Sequence, residues 1–237
     1  VTAIYFSLLQ TAYDNLICDV ALANYHAIFA VDRAGLVAGD GATHQGMFDI
    51  SYLTSIPNIS LLSPSCYSEL EKMLCYAVNQ HNGPIAIRYP RGREKADIDN
   101  GDFILGRASI VREGTDVTIA AEGQSVYTAL CVAELLKEKG ISAEIIDVRT
   151  IKPIDFDTVF KSSRKTGYLY TLEENLRRGG MGEMLSSYAK ESVETFKVKI
   201  KAIEDTFIPH GTINELNEKY GFTAEKIALD IERMLSK

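Results

Sequence analysis

Four short apolar runs open the chain: Thr2 to Tyr5, Ala27 to Val31, Ile59 to Leu62 and Pro84 to Arg88. Each is too short for a helix, and bounded apolar runs of this length read as buried strands. Between them lie stretches with helical spacing. Leu9 to Leu22 carries Leu9, Tyr13, Leu16, Ile17, Val20 and Ala21 on one side, and Asp49 to Leu53 reads as a short helix. A helix opened by Pro64-Ser65, with Ser65 as N-cap and Glu69 in its first turn, runs to about Asn79. Alternating strands and helices predict a parallel α/β sheet.

The rhythm returns after a charged stretch from Gly92 to Gly101 that is poor in apolar residues. Strands are expected at Arg107–Val111, Val117–Ala121, Ala143–Val148, Tyr168–Leu172 and Val198–Ile203, and helices at Ser125–Lys139, Gly182–Glu191, Thr212–Lys219 and Thr223–Leu235. The expected fold class is therefore α/β in two domains, each a mostly parallel sheet with helices on both faces. Their expected extents are residues 1–92 and 105–237, joined by a linker at 93–104.

The longest irregular stretch, Asp32 to Phe48, leaves the second strand and carries Gly35, Gly39, Gly41 and Gly46. A polar, glycine-rich loop at the carboxyl end of a parallel strand is where open α/β sheets bind ligands. Arg33 suits an anion, Asp40 a hydroxyl, and His44 a proton moved near neutral pH. Arg33 and Arg91 each follow a strand of the same expected sheet, so parallel strands would bring both to one edge. Two guanidinium groups there suit a phosphate monoester. Arg88 falls within its strand and reads as structural. Asp40 with an asparagine and a carbonyl would suit octahedral Mg2+, but the window from Ser65 to Leu70 holds no asparagine, and no metal site is assigned.

Composition narrows the partners. The 237 residues carry a formal charge of −7, which disfavours nucleic acid and anionic membranes. No apolar run reaches membrane-spanning length and no signal peptide is visible. Cys18, Cys66, Cys75 and Cys131 form no Cys-x-x-Cys motif; Cys66, Cys75 and Cys131 read as buried, reduced thiols of a cytoplasmic protein.

Asp32-Arg33-Ala34-Gly35, Asp40-Gly41-Ala42-Thr43-His44-Gln45-Gly46, Pro64-Ser65 and Arg88-Tyr89-Pro90-Arg91-Gly92 together resemble the 1-deoxy-D-xylulose-5-phosphate synthases, transketolase-like thiamine-diphosphate enzymes. The later segments Val111 to Val117, Asp147-Val148-Arg149, Glu173-Glu174-Asn175 and Gly179 to Gly182 resemble the C-terminal domain shared by transketolases and 2-oxo acid dehydrogenase beta subunits. The resemblance implies condensation of pyruvate with glyceraldehyde 3-phosphate. It implies catalytic roles for His44 and Asp40, substrate contacts for Tyr5, Arg33 and Arg91, and a homodimer built mainly by the second domain. Thiamine diphosphate and Mg2+ are implied cofactors, with their main binding residues and the activating glutamate outside this chain. The expectation is thus a C-terminal part, inactive alone.

Two positions depart from the family's Tyr-x-x-Phe-x-x-Arg pattern: Leu8 stands at the phenylalanine that stacks on the aminopyrimidine, and Thr11 at the arginine. Leu8 is left as the cofactor contact, aliphatic rather than aromatic. A beta half of a split transketolase or 2-oxo acid dehydrogenase, and a non-catalytic dimerisation or regulatory module, are the alternatives. Glu173-Glu174 would repel an external anion, so Gly179-Gly180 reads as a tight strand-to-helix turn at the dimer interface.

Overall fold

The computed structural model describes residues 1–39 and 41–236. β1 (Thr2–Tyr5) leads into a helical segment of changing pitch: α1 (Phe6–Leu9), a 3-10 turn (Gln10–Ala12), α2 (Tyr13–Asn15) and a π turn (Leu16–Ala21). It begins earlier than expected because Phe6, almost fully buried, already faces the core, while Tyr13 and Val20 remain partly exposed. Leu16 and Ala21 are both buried; their separation of five residues matches the wider π pitch rather than the α pitch.

β2 (Ile28–Asp32), α3 (Asp49–Thr54), β3 (Ser60–Leu62), α4 (Tyr67–Asn79) and β4 (Ile85–Tyr89) follow. β1, β2, β4 and β3 lie side by side in that order, all parallel. The entry to α4 differs from the expected cap. Cys66 is at the N-cap, and its side chain makes no capping bond. Ser65 instead donates both its N–H (2.7 Å) and hydroxyl (3.0 Å) to Glu69.

In the second half come β5 (Ser109–Arg112), β6 (Val117–Ala121), α5 (Ser125–Lys137), β7 (Ala143–Asp147), β8 (Thr150–Lys152) and α6 (Phe156–Thr166). β9 (Tyr168–Leu176), α7 (Met181–Glu191), β10 (Lys197–Ile203), α8 (Ile213–Tyr220) and α9 (Ala224–Leu235) complete it. The second sheet has the order β10-β9-β6-β7-β5, parallel except for β5 at its edge. The Thr212 and Thr223 caps form as expected, the first as a full capping box with Glu215.

Two elements were absent from the sequence expectation. α6 starts at Asp155, which accepts from Thr158 N–H, and ends at Gly167 in the left-handed region. β8 leaves the second half and pairs antiparallel with β3 of the first sheet. Lys152 at its end donates to the carbonyls of Thr54 (3.0 Å) and Ile56. The halves also share a core: Val31, Leu61 and Ala86 belong to one buried cluster with Ala120, Ile146, Leu169 and Met181. Residues 93–104 contain no helix or strand, yet Ile98 and Asn100 are buried, and Asn100 donates to Asp147 (3.2 Å) across the halves.

Candidate active site

Tyr5, Asp32 and Tyr89 stand in one row at the carboxyl edge of three adjacent parallel strands, each in register with the next. Arg33 is the first residue past β2 and Arg91 the second past β4. The two arginines are therefore at the same edge on neighbouring strands. Arg33 turns at φ +66°, a conformation that a non-glycine residue adopts only under local constraint. The constraint is visible: Ala34 N–H donates to Tyr89 O (3.0 Å), and Arg33 Nη2 donates to the Tyr5 hydroxyl (2.5 Å). The guanidinium also lies 4.1 Å from the Tyr5 ring centroid, a cation–π contact. Arg91 is exposed. Leu8, 55% exposed despite its apolar side chain, follows Tyr5 at this edge, and Thr11 returns its hydroxyl to Leu8 O (2.7 Å).

The loop beyond Arg33 is closed by a two-way backbone pair. Gly35 N–H donates to Gly46 O (2.7 Å) and Gly46 N–H to Gly35 O (2.8 Å). A Cβ at Gly46 would overlap the Arg33 carbonyl oxygen, so the closure requires glycine. Buried Gln45 braces the loop from inside, accepting from Val37 N–H (2.8 Å) and donating to Pro209 O (3.4 Å). His44 is half-buried in a 3-10 turn (Ala42–His44), its Nδ1 2.8 Å from the Thr43 hydroxyl. That contact engages Nδ1 within the loop itself. Asp40 lies outside the described residues.

Beneath this edge lies a buried polar layer that joins the halves. Arg88, inside β4, donates to Asp49 (2.8 Å) and to Glu122 (2.5 Å) of the second half, with Ser63 also bonded to Glu122 (2.5 Å). Burial would lower the Arg88 pKa, but the two carboxylates reverse the effect and hold it raised. Burial raises Asp49, against the pull of Arg88. Burial also pushes Glu173 up to about 8, opposed by the N–H groups of Gly182 (2.8 Å) and Met181 (2.7 Å) at the start of α7. That helix end is thus filled by the protein's own carboxyl group, a contact between residues eight and nine apart that spacing did not reveal. Glu174 accepts from Leu36 N–H (3.0 Å) and Gln124 (2.9 Å), and burial raises its pKa.

A cavity of about 60 Å3 opens between the halves, walled by Tyr67, Tyr89, Pro90, Gln124 and Tyr127. Among the described residues no three His, Cys, Asp or Glu side chains converge as a metal site. No helix among them is long and apolar enough to cross a membrane. Cys66 is buried as expected, whereas Cys75 is exposed and Cys131 only half-buried. Cys75 sits on the outer face of α4, opposite buried Met73 and Ala77.

Comparison with known proteins agrees with this architecture. Residues 1–95 match the family "Transketolase, pyrimidine binding domain", and residues 106–227 match "Transketolase, C-terminal domain". The 1-deoxy-D-xylulose-5-phosphate synthase of Desulforudis audaxviator is 40% identical over 98% of this chain and 37% of its own length. That of Pelotomaculum thermopropionicum is 42% identical over 96% of this chain and 36% of its own length. The chain thus spans under two-fifths of these relatives. Among solved structures, a protein described as a split gene transketolase, inactive beta4 tetramer, superimposes with a TM-score of 0.90 at 27% identity. That match covers 99% of this chain and 75% of the other. A transketolase from Pichia stipitis, at 15% identity and a TM-score of 0.81, shares the fold. The chain belongs to the transketolase family, as a pyrimidine-binding domain followed by a transketolase C-terminal domain.

Proposed function

We propose that this chain supplies the pyrimidine-facing and C-terminal parts of a carboligase that joins pyruvate to glyceraldehyde 3-phosphate, giving 1-deoxy-D-xylulose 5-phosphate and CO2. The observation that carries the reading is identity of 40–42% to such synthases along 96–98% of the chain, against 27% to the split transketolase. Thiamine diphosphate, when bound, supplies the electron sink for decarboxylating a 2-oxo acid. In this reading Leu8, exposed and three residues past Tyr5, is the contact to its pyrimidine side. Mg2+ and the diphosphate are assigned to the part of the enzyme that the relatives carry beyond the matched 36–37% of their length. In this reading Arg33 and Arg91 hold the acceptor's phosphate dianion, and Tyr5 orients Arg33. His44 and Asp40 handle the proton of the acceptor carbonyl oxygen. The working enzyme is a homodimer in the cytoplasm.

A second reading, the beta subunit of a split transketolase, is favoured by the 0.90 TM-score to that protein. Donor preference separates the two. The complete reading frame, purified with thiamine diphosphate and Mg2+, is given pyruvate with glyceraldehyde 3-phosphate, or xylulose 5-phosphate with ribose 5-phosphate. The proposal expects CO2 release and a deoxyketose phosphate from the first pair. Ketol transfer from the second pair alone would assign it to the transketolases, and inactivity with both would leave a non-catalytic module.

A further inference from the structure

The loop that carries His44 is gripped at both stems by one strand of the other half. Both contacts come from the C-terminal end of β9, at Glu174 and Leu176. Glu174 Oε2 accepts from Leu36 N–H on the outgoing stem (3.0 Å), and Leu176 N–H donates to Met47 O on the returning stem (2.8 Å). The Gly35–Gly46 pair ties the stems together one residue before each of these points.

Glu174 is itself fixed on several sides. Its Oε2 also accepts from Gln124 (2.9 Å), and its backbone N–H donates to Glu122 (3.3 Å), which is bound to Arg88. The carboxylate presses on the loop backbone so closely that a Cβ at Gly35 would overlap Oε2. At 6% exposure it cannot exchange these donors for water. A buried carboxylate costs free energy unless its acceptors are used, and here one oxygen is used to hold the first turn of the loop.

We propose that Glu174 is a positioning residue: acting from the C-terminal domain, it sets the stem of the His44 loop and thereby the geometry of the active edge. The kinetic half of this inference rests on the carboligase reading above; the structural half does not.

The test uses the complete enzyme and two readouts, hydrogen exchange of a peptide spanning residues 33–39 and steady-state kinetics. In Glu174→Ala the Leu36 amide should exchange roughly tenfold faster or more, as expected for loss of a hydrogen bond to a charged group. Peptides from β4 and β7 should keep their protection. A displaced loop should lower kcat by roughly 10- to 100-fold, with the KM for pyruvate within about twofold. Glu174→Gln, which keeps one acceptor oxygen, should restore most of both. Unchanged exchange at 33–39, or faster exchange with an unchanged kcat, would overturn the proposal. If Glu174→Ala does not fold, Glu174→Asp, which shortens the side chain by one methylene and draws the carboxylate back from Leu36 N–H, is judged by the same outcomes. A wild-type enzyme without carboligase activity would reject the functional reading while the exchange data still decide whether Glu174 fixes the stem.

Discussion

The guanidinium of Arg88 and the carboxylate of Asp49 meet at 2.8 Å with 3% and 0% of their side chains exposed. Glu122 shares the same guanidinium from the other half of the chain. Removing a single partner of a buried ion pair strands the remaining charge, which typically costs about 3–5 kcal/mol. Arg88→Met keeps the length of the side chain and leaves two buried carboxylates facing each other. Urea denaturation should show a loss of about that size, and Asp49→Asn in the same background should recover part of it. A loss below about 1 kcal/mol would mean that water reaches the pair after all.

Glu173 makes stability depend on pH. In the folded protein it keeps its proton up to about pH 8, whereas its ordinary value is 4.5. Its contribution is therefore fully present below about pH 4.5, declines as pH rises, and is lost above pH 8. The slope is at most about 1.4 kcal/mol per pH unit. Urea unfolding at pH 5, 6.5 and 8 should give falling stability in the wild type and a shallower fall in Glu173→Gln. Identical slopes in the two proteins would remove Glu173 as the source.

How far the sequence foretold this molecule depended on where each residue's partners lie. β2 and β4 were readable because their apolar runs are local, and once they are parallel the shared edge of Arg33 and Arg91 follows. α6 had both of its signals in the sequence, Asp155 before it and Gly167 after it, but its buried face rests on few apolar residues, chiefly Val159 and Phe160. β8 was not readable: three residues make a strand only because β3, nearly ninety positions earlier, offers an open edge. The grip of Glu174 on Leu36 spans 138 positions, and no spacing rule reaches that far. The motif around Glu173 and Glu174 was visible, but what its carboxylates touch was set by the packing of two halves.

The closure of the His44 loop gives a steric prediction. In Gly46→Ala the new methyl group would meet only backbone, the Arg33 carbonyl oxygen and Gly35 N at 2.8 Å, neither of which can swing aside. Overpacking of this kind costs about 3 kcal/mol. Gly41→Ala is the comparison: its φ of +76° disfavours alanine, but among the described residues nothing lies within 4 Å of the added atom, so strain of about 1 kcal/mol is expected. Thermal unfolding of the two variants should separate them by several degrees, Gly46→Ala the less stable. Equal losses would show that backbone strain, not contact, governs both sites.

Arg91 gives the sharpest test of the substrate assignment. If it binds the phosphate of glyceraldehyde 3-phosphate, it makes a charge-assisted hydrogen bond to a dianion, worth roughly 1.5–3 kcal/mol. That is about 10- to 150-fold in an equilibrium constant. In the complete enzyme Arg91→Ala should raise the KM for the phosphorylated acceptor by about that factor and leave the KM for pyruvate nearly unchanged. With unphosphorylated glyceraldehyde the mutation should have almost no effect, because the interaction it removes never formed. His44→Ala should instead lower kcat with both acceptors, as expected for a group that moves or holds a proton in the transition state. The decisive measurement compares wild type and Arg91→Ala with both acceptors. Equal losses for the two would make Arg91 a support of the edge, with the phosphate held elsewhere.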